Sequence, residues 1–282
     1  MSLVIDKEKI VHLKEMLHAS KRVLILSHMH PDGDAIGSSL GLSHLLKHHL
    51  SAATHISVVL PNSVPDYFGF LPGVESVLSA EDDMESCQRM FAEADLIIGV
   101  DFNNAPRIGA LQLLLESSPL PKVLIDHHIS PDEQLFDLVF SIPGISSACE
   151  LVYWVGFGLW GDDCLTLESA RCLYTGICTD TGSFAFSNED SDTYEAVAAL
   201  VRYPVCATEI HNEIFNTYSV ARMQFLGFCL NNRLRIFEKE GFAYIYISKA
   251  DQDRFGVDES DTEGFVNYTL QMRNIHVGAL IK

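Results

Sequence analysis

The sequence predicts an α/β fold, a doubly wound parallel sheet joined by a helical linker to a second, smaller α+β domain. Short apolar runs alternate with segments of helical periodicity over most of the 282 residues. Several of these runs end in acidic residues or histidines, which is typical of parallel strands whose carboxyl ends meet at a ligand site. After Asn231 the pattern changes to two adjacent apolar runs separated by a turn, which predicts an antiparallel hairpin.

The predicted elements alternate in a regular order. Strands of the main sheet are predicted over residues 23–26, 55–60, 94–101, 121–126 and 138–140. Helices are predicted over residues 4–20, 35–50, 82–93, 147–160, 165–177 and, interrupted near Tyr203–Pro204, 190–230. Because strands and helices alternate, we expect βαβ units with right-handed crossovers. The hairpin strands are predicted over 234–237 and 242–247, with the turn at Glu238–Gly241.

These patterns divide the chain into three parts. Residues 1–190 form the α/β domain, 191–228 the helical linker, and 229–282 the smaller domain. The last part is short for an independent hydrophobic core.

Composition excludes several classes of protein. Apolar residues make up 48% of the chain, which indicates a globular protein. No apolar run is long enough to span a membrane, and the N-terminus lacks the apolar core of a signal peptide. The net charge of -19 argues against binding to duplex DNA. Seven cysteines without a C-x-x-C pair predict free thiols in a reducing cytoplasm.

A turn rich in ionisable residues follows the first strand. Pro31 and Gly33 break the strand, and we expect Asp34 to be the N-cap of the next helix. The turn therefore brings together His28, Asp32 and Asp34. Carboxylates and imidazoles at this density repel or perturb one another unless a cation lies among them, and the donor set suits Mn²⁺ or Mg²⁺.

The same pattern recurs along the chain. Asp101, the triplet Asp126-His127-His128 and Asp180 also lie where a predicted strand or helix ends. In a parallel sheet these ends gather on one edge, so distant residues can converge. Many carboxylates with histidines indicate a two-metal hydrolytic site, for which Asp101 is the candidate bridging ligand. Each residue alone also fits a structural role.

A second group of histidines carries no such indication. His44, His48 and His49 lie on one predicted helix, and the i, i+4 spacing of His44 and His48 could hold a metal ion. No carboxylate partner is evident in the sequence, so we interpret them as a solvated helix face.

Four motifs in order resemble the DHH phosphoesterase superfamily, within it the oligoribonuclease and PAP (3′-phosphoadenosine-5′-phosphate) phosphatase branch. RecJ-like exonucleases, exopolyphosphatases and manganese pyrophosphatases are its more distant members. The motifs are His28-Met29-His30-Pro31-Asp32-Gly33-Asp34-Ala35-Ile36-Gly37-Ser38, Val100-Asp101, Ile125-Asp126-His127-His128 and Thr179-Asp180-Thr181-Gly182. The segment Ser146-Ser147-Ala148-Cys149-Glu150 is similar to a further family segment.

The resemblance implies a role for each matching residue. One metal ion would be held by His28, Asp32 and Asp101, and the second by Asp34, Asp101, His127 and Asp180. His128 would face the substrate phosphate as donor or acid. Asp126 would either orient the histidines by accepting a hydrogen bond from a ring N–H or be partly structural. His30 stands where the family usually has asparagine, and it would either keep an asparagine-like hydrogen bond or contact substrate. Arg107 is a further candidate for substrate binding. Two divalent ions are expected, Mn²⁺ first and Mg²⁺ as the alternative.

The implied function is metal-dependent hydrolysis of short oligoribonucleotides, of PAP, or of both, in the cytoplasm. A short RNA or a small phosphorylated nucleotide is the expected partner, with no membrane or duplex DNA involved, and a homodimer is compatible. The alternatives are a polyphosphate or pyrophosphate hydrolase, a phosphodiesterase for linear dinucleotides derived from cyclic ones, and a nucleotide-binding protein without turnover. The family's glycine-rich Gly-Gly-Gly-His-like loop is missing, so we expect the second domain to be incomplete, with a further strand near residues 279–281.

Overall fold

The chain divides into two compact units, residues 1–214 and 215–282, in a computed structural model that describes residue 3 and residues 5–185, 190–262 and 264–282. The boundary falls inside the stretch 191–228 that the sequence analysis assigns to a linker.

The first unit is built on a six-stranded sheet in which every pair of neighbours is parallel. Its strands are β1 (Arg22–Leu26), β2 (His55–Leu60), β3 (Leu78–Ser79), β4 (Leu96–Val100), β5 (Lys122–Asp126) and β6 (Leu138–Ser141). They lie in the order β3-β2-β1-β4-β5-β6, so the chain winds outward from β1 in one direction and then from β4 in the other. The doubly wound α/β prediction is confirmed. Only the two-residue β3 was not predicted, because so short a strand has no periodicity to read.

Helices flank this sheet. They are α1 (Lys7–Ala19), α2 (Gly33–His49), α3 (Ala80–Glu93), α4 (Gln112–Ser117), α5 (Ala148–Trp160), α6 (Leu167–Asp180), α7 (Ser191–Leu200) and α8 (Ala207–Phe215). On one side of the sheet, Leu24 and Ile97 share a buried cluster with Phe91 of α3 and Leu115 of α4. Helices α2 and α5 also contact the strands. Burial of these alternating strand residues is the main source of stability of such a layered core.

The start of α2 corrects one prediction. Asp32, and not Asp34, is the N-cap, and its Oδ1 accepts hydrogen bonds from the main-chain N–H groups of Asp34 and Ala35, both at 3.0 Å. The helix begins two positions earlier than expected, because Gly33 and Asp34 are already helical. With this two-residue shift the Asp34 side chain lies inside the protein, where it is completely buried.

The interpretation of the α2 histidines as a solvated face is wrong for two of the three. His44 is half-buried, and its Nε2 lies 2.9 Å from the carbonyl oxygen of Pro72. His49 stacks on Trp160 with ring centroids 4.2 Å apart, and its Nε2 lies 3.0 Å from the carbonyl oxygen of Cys164. Only His48 is exposed. These carbonyls come from loops distant in sequence, so a helical pattern alone could not reveal them.

Three glycines of α2 allow it to approach α6 closely. Gly33, Gly37 and Gly41 recur every fourth residue and therefore lie on one helix face. A Cβ on Gly37 would lie 2.6 Å from the carbonyl oxygen of Cys172 and 3.1 Å from the main-chain nitrogen of Gly176. Glycine costs helix stability, so its repetition here indicates a packing requirement. The close approach holds the N-terminus of α2 beside the C-terminus of α6.

The second unit contains α9 (Val220–Phe228), β7 (Leu234–Phe237), β8 (Phe242–Tyr246), α10 (Lys249–Phe255), α11 (Asn267–Leu270) and β9 (Val277–Ile281). Strands β7 and β8 form the predicted antiparallel hairpin, and β9 pairs parallel to β8 at the expected position. Its own apolar cluster includes Phe225, Ile245 and Phe265. Arg233 binds Asp251 through two hydrogen bonds of 2.9 and 2.6 Å.

All seven cysteines are free thiols. Within the described residues, no helix is both long enough and apolar enough to cross a lipid bilayer.

We expect Gly37→Ala to destabilise the protein by about 2 kcal/mol, because the new methyl group would collide with main-chain atoms that cannot move aside cheaply. Gly41→Ala is the matched control, since its Cβ would meet the side chain of Leu173, which can change rotamer. Urea unfolding of both variants measures the difference. Equal stability of the two would contradict a close α2–α6 contact set by Gly37.

Candidate active site

The cluster of acidic and histidine residues lies at the point where the sheet reverses direction. Strands β1 and β4 are neighbours, and the chain leaves them in opposite directions. Crevices of this kind, at the carboxyl ends of the strands, are where open α/β sheets bind ligands. The Ser27 hydroxyl donates a 2.8 Å hydrogen bond to the carbonyl oxygen of Val100 and ties the two strand ends together.

One part of the cluster joins the β1 turn to Asp101. His28 Nε2 lies 3.2 Å from Asp101 Oδ2 and 3.8 Å from Asp32 Oδ1. The other ring nitrogen, His28 Nδ1, lies 2.8 Å from the carbonyl oxygen of Met29 and donates to it, so Nε2 is the ring atom that faces the carboxylates. The structure thus brings together the three residues predicted for the first metal ion.

The second part surrounds His127, which follows β5. His127 Nε2 lies 3.4 Å from Asp101 Oδ1, 3.6 Å from Asp180 Oδ2 and 3.7 Å from Asp34 Oδ2. The four residues predicted for the second metal ion therefore converge on one point. Asp101 and His127 directly follow β4 and β5, and the two other residues lie in α2 and α6. The packing of these elements brings together residues that are distant in sequence.

Asp101 lies between the two parts and has an unusual backbone. Its φ is +60°, in the left-handed region that non-glycine residues rarely occupy. Such conformations persist where the surroundings hold them in place, and they concentrate at functional sites. Here the Asp101 N–H donates to the carbonyl oxygen of Ile125, at the end of the neighbouring β5, with a length of 3.1 Å. This backbone conformation places the Asp101 carboxylate between His28 and His127.

His128 occupies a different position from His127. Its Nδ1 lies 2.7 Å from Asp126 Oδ1, and its main-chain N–H also donates to that carboxylate. Asp126 is completely buried, whereas 30% of the His128 side chain is exposed. With Nδ1–H donating to Asp126, Nε2 is directed away from this carboxylate. Asp126 thus fixes the orientation of the His128 ring.

Burial and mutual repulsion raise the pKa of two acidic groups, whereas neighbouring histidines lower the pKa of a third. Burial, together with the charges of Asp101 and Asp180, raises the pKa of Asp34 well above its usual range. Burial and the charges of Asp32 and Asp101 raise the pKa of Asp180 to about 7. Burial alone would raise the pKa of Asp101 as well. The neighbouring His127 and His28 have the larger effect and lower this pKa to about 2.

The two histidines respond to this excess of negative charge. Burial lowers the pKa of His28, but Asp101 and Asp32 outweigh it and raise the pKa to about 10. For His127, Asp101, Asp34 and Asp180 together outweigh burial and again raise the pKa to about 10. Without a cation the site therefore holds protons on both imidazoles. Bound metal ions would supply the positive charge that these carboxylates require.

The donor set fits divalent cations. Three groups have ligand atoms within 4.8 Å of one another: His28, Asp32 and Asp101; Asp34, His127 and Asp180; and Asp101, His127 and His128. All the donors are carboxylate oxygens or imidazole nitrogens, which suit Mn²⁺ or Mg²⁺ better than a thiolate-preferring ion. Cys149 is buried nearby, but its Sγ faces the carbonyl oxygen of Asp34 at 3.6 Å.

The two remaining predicted residues lie at the edge of the site. The main-chain N–H of His30 donates to Asn62 Oδ1 at 3.0 Å, while its imidazole is exposed and has no hydrogen bond within the described part of the chain. Arg107 is half-buried, and its carbonyl oxygen accepts a 2.8 Å hydrogen bond from Met29 N–H. The Arg107 guanidinium makes no ion pair or hydrogen bond with any described residue.

The sequence does not predict two sets of hydrogen bonds that position the candidate metal ligands. The main-chain N–H groups of Ala148 and Cys149, at the start of α5, donate to the Asp34 carboxylate at 2.6 and 2.8 Å. Asn103 Nδ2 donates to the carbonyl oxygen of Ile129 at 2.8 Å and joins the loops after β4 and β5. For the N–H groups of Ala148 and Cys149, the similarity of residues 146–150 to a family segment is the one indication in the sequence. No motif indicates Asn103.

Comparison with known proteins shows the family of this chain. Residues 22–177 match the N-terminal domain of the DHH family. The chain belongs to the DHH family. It is 29% identical, over 94% of its own length and 78% of the relative, to the probable bifunctional oligoribonuclease and PAP phosphatase NrnA of Streptococcus mutans. The corresponding enzyme of Bacillus subtilis is 28% identical over 86% of this chain and 72% of its own.

A solved structure shows the same fold along nearly the whole chain. It is an exopolyphosphatase-related protein from Bacteroides fragilis, with a TM-score of 0.92 and 33% identity, which covers 98% of this chain and 79% of that protein. The DHH-family chain described here is thus a metal-dependent phosphoesterase, a hydrolase of phosphoric esters.

The raised histidine pKa values predict that the metal-free protein loses stability as pH rises. His28 and His127 have folded pKa values of about 10 against 6.5 in the unfolded chain, so their contribution is complete below pH 6.5 and lost towards pH 10. Asp180, whose pKa is raised to about 7, acts in the same direction because its ionised form is unfavourable in the fold. We expect the free energy of unfolding in chelator to fall by on the order of 3 kcal/mol between pH 6.5 and 9.

Urea unfolding in chelator at several pH values measures this decrease, and saturating Mg²⁺ should reduce it. His127→Asn should flatten the pH dependence, whereas the control His12→Asn, on the exposed face of α1, should not. Equal stability at pH 6.5 and 9 in chelator would show that the cluster does not hold these protons.

Proposed function

We propose that this protein hydrolyses short oligoribonucleotides, PAP, or both, by a mechanism that uses two divalent metal ions. The observation that carries the proposal is the position of Asp101. Its Oδ2 lies 3.2 Å from His28 and its Oδ1 lies 3.4 Å from His127, so each oxygen belongs to a different group of ligands. A carboxylate shared in this way is what a two-metal site requires.

In this proposal each group of ligands has one ion. His28, Asp32 and Asp101 hold the first, and Asp34, Asp101, His127 and Asp180 the second. Bound divalent ions supply the charge that activates a water molecule and neutralises the phosphate under attack. The protein contributes by fixing the ligands, since Asp34 and Asp101 are buried and held by main-chain hydrogen bonds.

His128 is the proposed proton donor. Its hydrogen bond to Asp126 fixes the ring, and its partly exposed side chain is available to a phosphate oxygen or to the leaving group.

Charge distribution supports a small phosphorylated substrate. Residues 215–282 contain eight basic and eight acidic side chains, so the net charge of -19 belongs to residues 1–214. A phosphate is therefore repelled by the first unit unless cations are bound there. Arg107, whose guanidinium has no protein partner within the described residues, is the proposed phosphate contact, and exposed His30 a second one. The names of the relatives favour a nucleotide.

A second candidate function is the hydrolysis of polyphosphate or pyrophosphate. It is favoured by the similarity to the exopolyphosphatase-related protein. Polyphosphate, however, carries a charge on every phosphate and is usually held by several lysines and arginines. The charge balance of the first unit makes it the weaker candidate.

We also propose a cytoplasmic enzyme that does not bind duplex DNA. The seven free thiols fit a reducing compartment, and the excess of acidic residues opposes binding to a duplex. A homodimer is compatible with this proposal.

The test is the release of phosphate and nucleotide with Mn²⁺ from PAP, a short RNA and pyrophosphate in parallel. We expect turnover of PAP or RNA that exceeds turnover of pyrophosphate. Asp101→Asn is the control for contaminating activity, because it removes the charge of the shared ligand while preserving its shape. Hydrolysis of pyrophosphate alone would replace the proposed substrate, and activity equal to wild type in Asp101→Asn would refute the proposed site.

We expect His128→Gln to lower kcat by about 10²- to 10⁴-fold while Mn²⁺ affinity stays unchanged, because a proton donor is lost but no ligand. Steady-state kinetics and calorimetric titration of Mn²⁺ measure the two effects. His127→Gln is the matched comparison and should weaken Mn²⁺ binding. Loss of metal from His128→Gln would instead place this residue among the ligands.

A further inference from the structure

A completely buried carboxylate, Glu150, lies in the first turn of α5. Its Oε2 accepts hydrogen bonds from Ser146 N–H at 3.2 Å, Ser146 Oγ at 2.5 Å and Thr193 Oγ1 at 2.7 Å. Its Oε1 accepts from Trp154 Nε1 at 3.2 Å. No Lys, Arg or His of the described residues forms an ion pair with it. A buried charge held by four neutral donors is a costly arrangement, which calls for an explanation.

The position of Glu150 in the chain suggests that explanation. The same first turn provides the N–H groups of Ala148 and Cys149 that hold the Asp34 carboxylate. Ser147 caps the helix by accepting a hydrogen bond from Glu150 N–H at 3.0 Å. Glu150 in turn fixes Ser146, the residue immediately before the cap. The carboxylate therefore sets the direction in which the chain enters α5, and with it the aim of the two N–H groups.

A second connection runs to α7. Thr193 lies near the start of this helix and is buried, and its hydroxyl reaches Glu150. Glu150 thus joins the start of α5 to α7, so that the turn holding Asp34 is braced from a second helix.

We propose that Glu150 is a positioning residue for Asp34, which acts through the N-terminus of α5 and determines the affinity of the second metal ion. The inference rests on the proposed two-metal function. It assigns to Glu150 an effect on the ion held by Asp34, His127 and Asp180, and none on the ion held by His28 and Asp32.

Replacing Glu150 by glutamine tests this role, because it changes the hydrogen-bonding groups of the side chain. Glu150→Gln keeps the shape, but its amide NH₂ must take the place of either Oε1 or Oε2. In the first case it faces Trp154 Nε1–H, and in the second Ser146 N–H, and both of these groups can only donate. Either orientation therefore places two donors against each other and disturbs the turn. Adding Trp154→Phe removes one of the two conflicting donors, so the double variant has an orientation that Gln can adopt.

The experiment is a calorimetric titration of Mn²⁺ into the metal-free full chain. For Glu150→Gln we expect one ion to bind as in wild type and the other at least tenfold more weakly. Asp34→Asn should weaken the same ion. Glu150→Gln/Trp154→Phe should recover most of the lost affinity, whereas Trp154→Phe alone should bind both ions as wild type does.

Thr193 provides a milder variant in case Glu150→Gln does not fold. We expect Thr193→Val to weaken the second ion a few-fold and Thr193→Ser to restore it, because serine keeps the hydroxyl. A structural role alone would lower the Tm of these variants without changing the affinity of either ion.

The possible failures are distinguishable. A wild-type protein that binds fewer than two Mn²⁺ ions per chain would refute the proposed function itself. Two ions in wild type, with both affinities unchanged in Glu150→Gln or in Thr193→Val, would refute the role of Glu150 and leave the function in place.

Discussion

The structure of the first unit depends on one electrostatic constraint, which is the confinement of several carboxylates at the edge of the sheet. Asp34 and Asp101 are almost inaccessible to water, and Asp180 lies beside them. In an environment of low polarity like charges at this distance cannot all remain ionised without compensation. The raised pKa values of His28 and His127 express the same constraint, because the imidazoles retain protons that a metal ion would replace.

The fold meets this constraint with backbone groups more than with charged side chains. The N-terminal N–H groups of α5 hold Asp34, the main-chain turn at Asp101 places its carboxylate between the two histidines, and Asp32 combines its position in the site with the N-cap of α2. The glycines of α2 bring its N-terminus close to Asp180 at the end of α6. A backbone arrangement of this kind loses little conformational freedom on binding an ion, which is the benefit of a preorganised site.

Much of this architecture could be predicted from the sequence, because strands and helices of the first unit alternate and because the ionisable residues recur where strands end. Three features could not be predicted. The N-cap of α2 is Asp32, two residues before the predicted Asp34, and periodicity does not fix a helix end to within two residues. The contacts of His44 and His49 are made with loops distant in sequence. The network of Glu150 joins two helices whose relative position only tertiary packing determines.

The measurement that tests the central claim most directly is the anomalous diffraction of Mn²⁺ in crystals of the full chain. The account predicts two peaks, each within coordination distance of a different oxygen of Asp101, with His28 at one and His127 at the other. A single peak, or two peaks of which one lies away from Asp101, would contradict the shared-ligand arrangement on which the proposed mechanism rests.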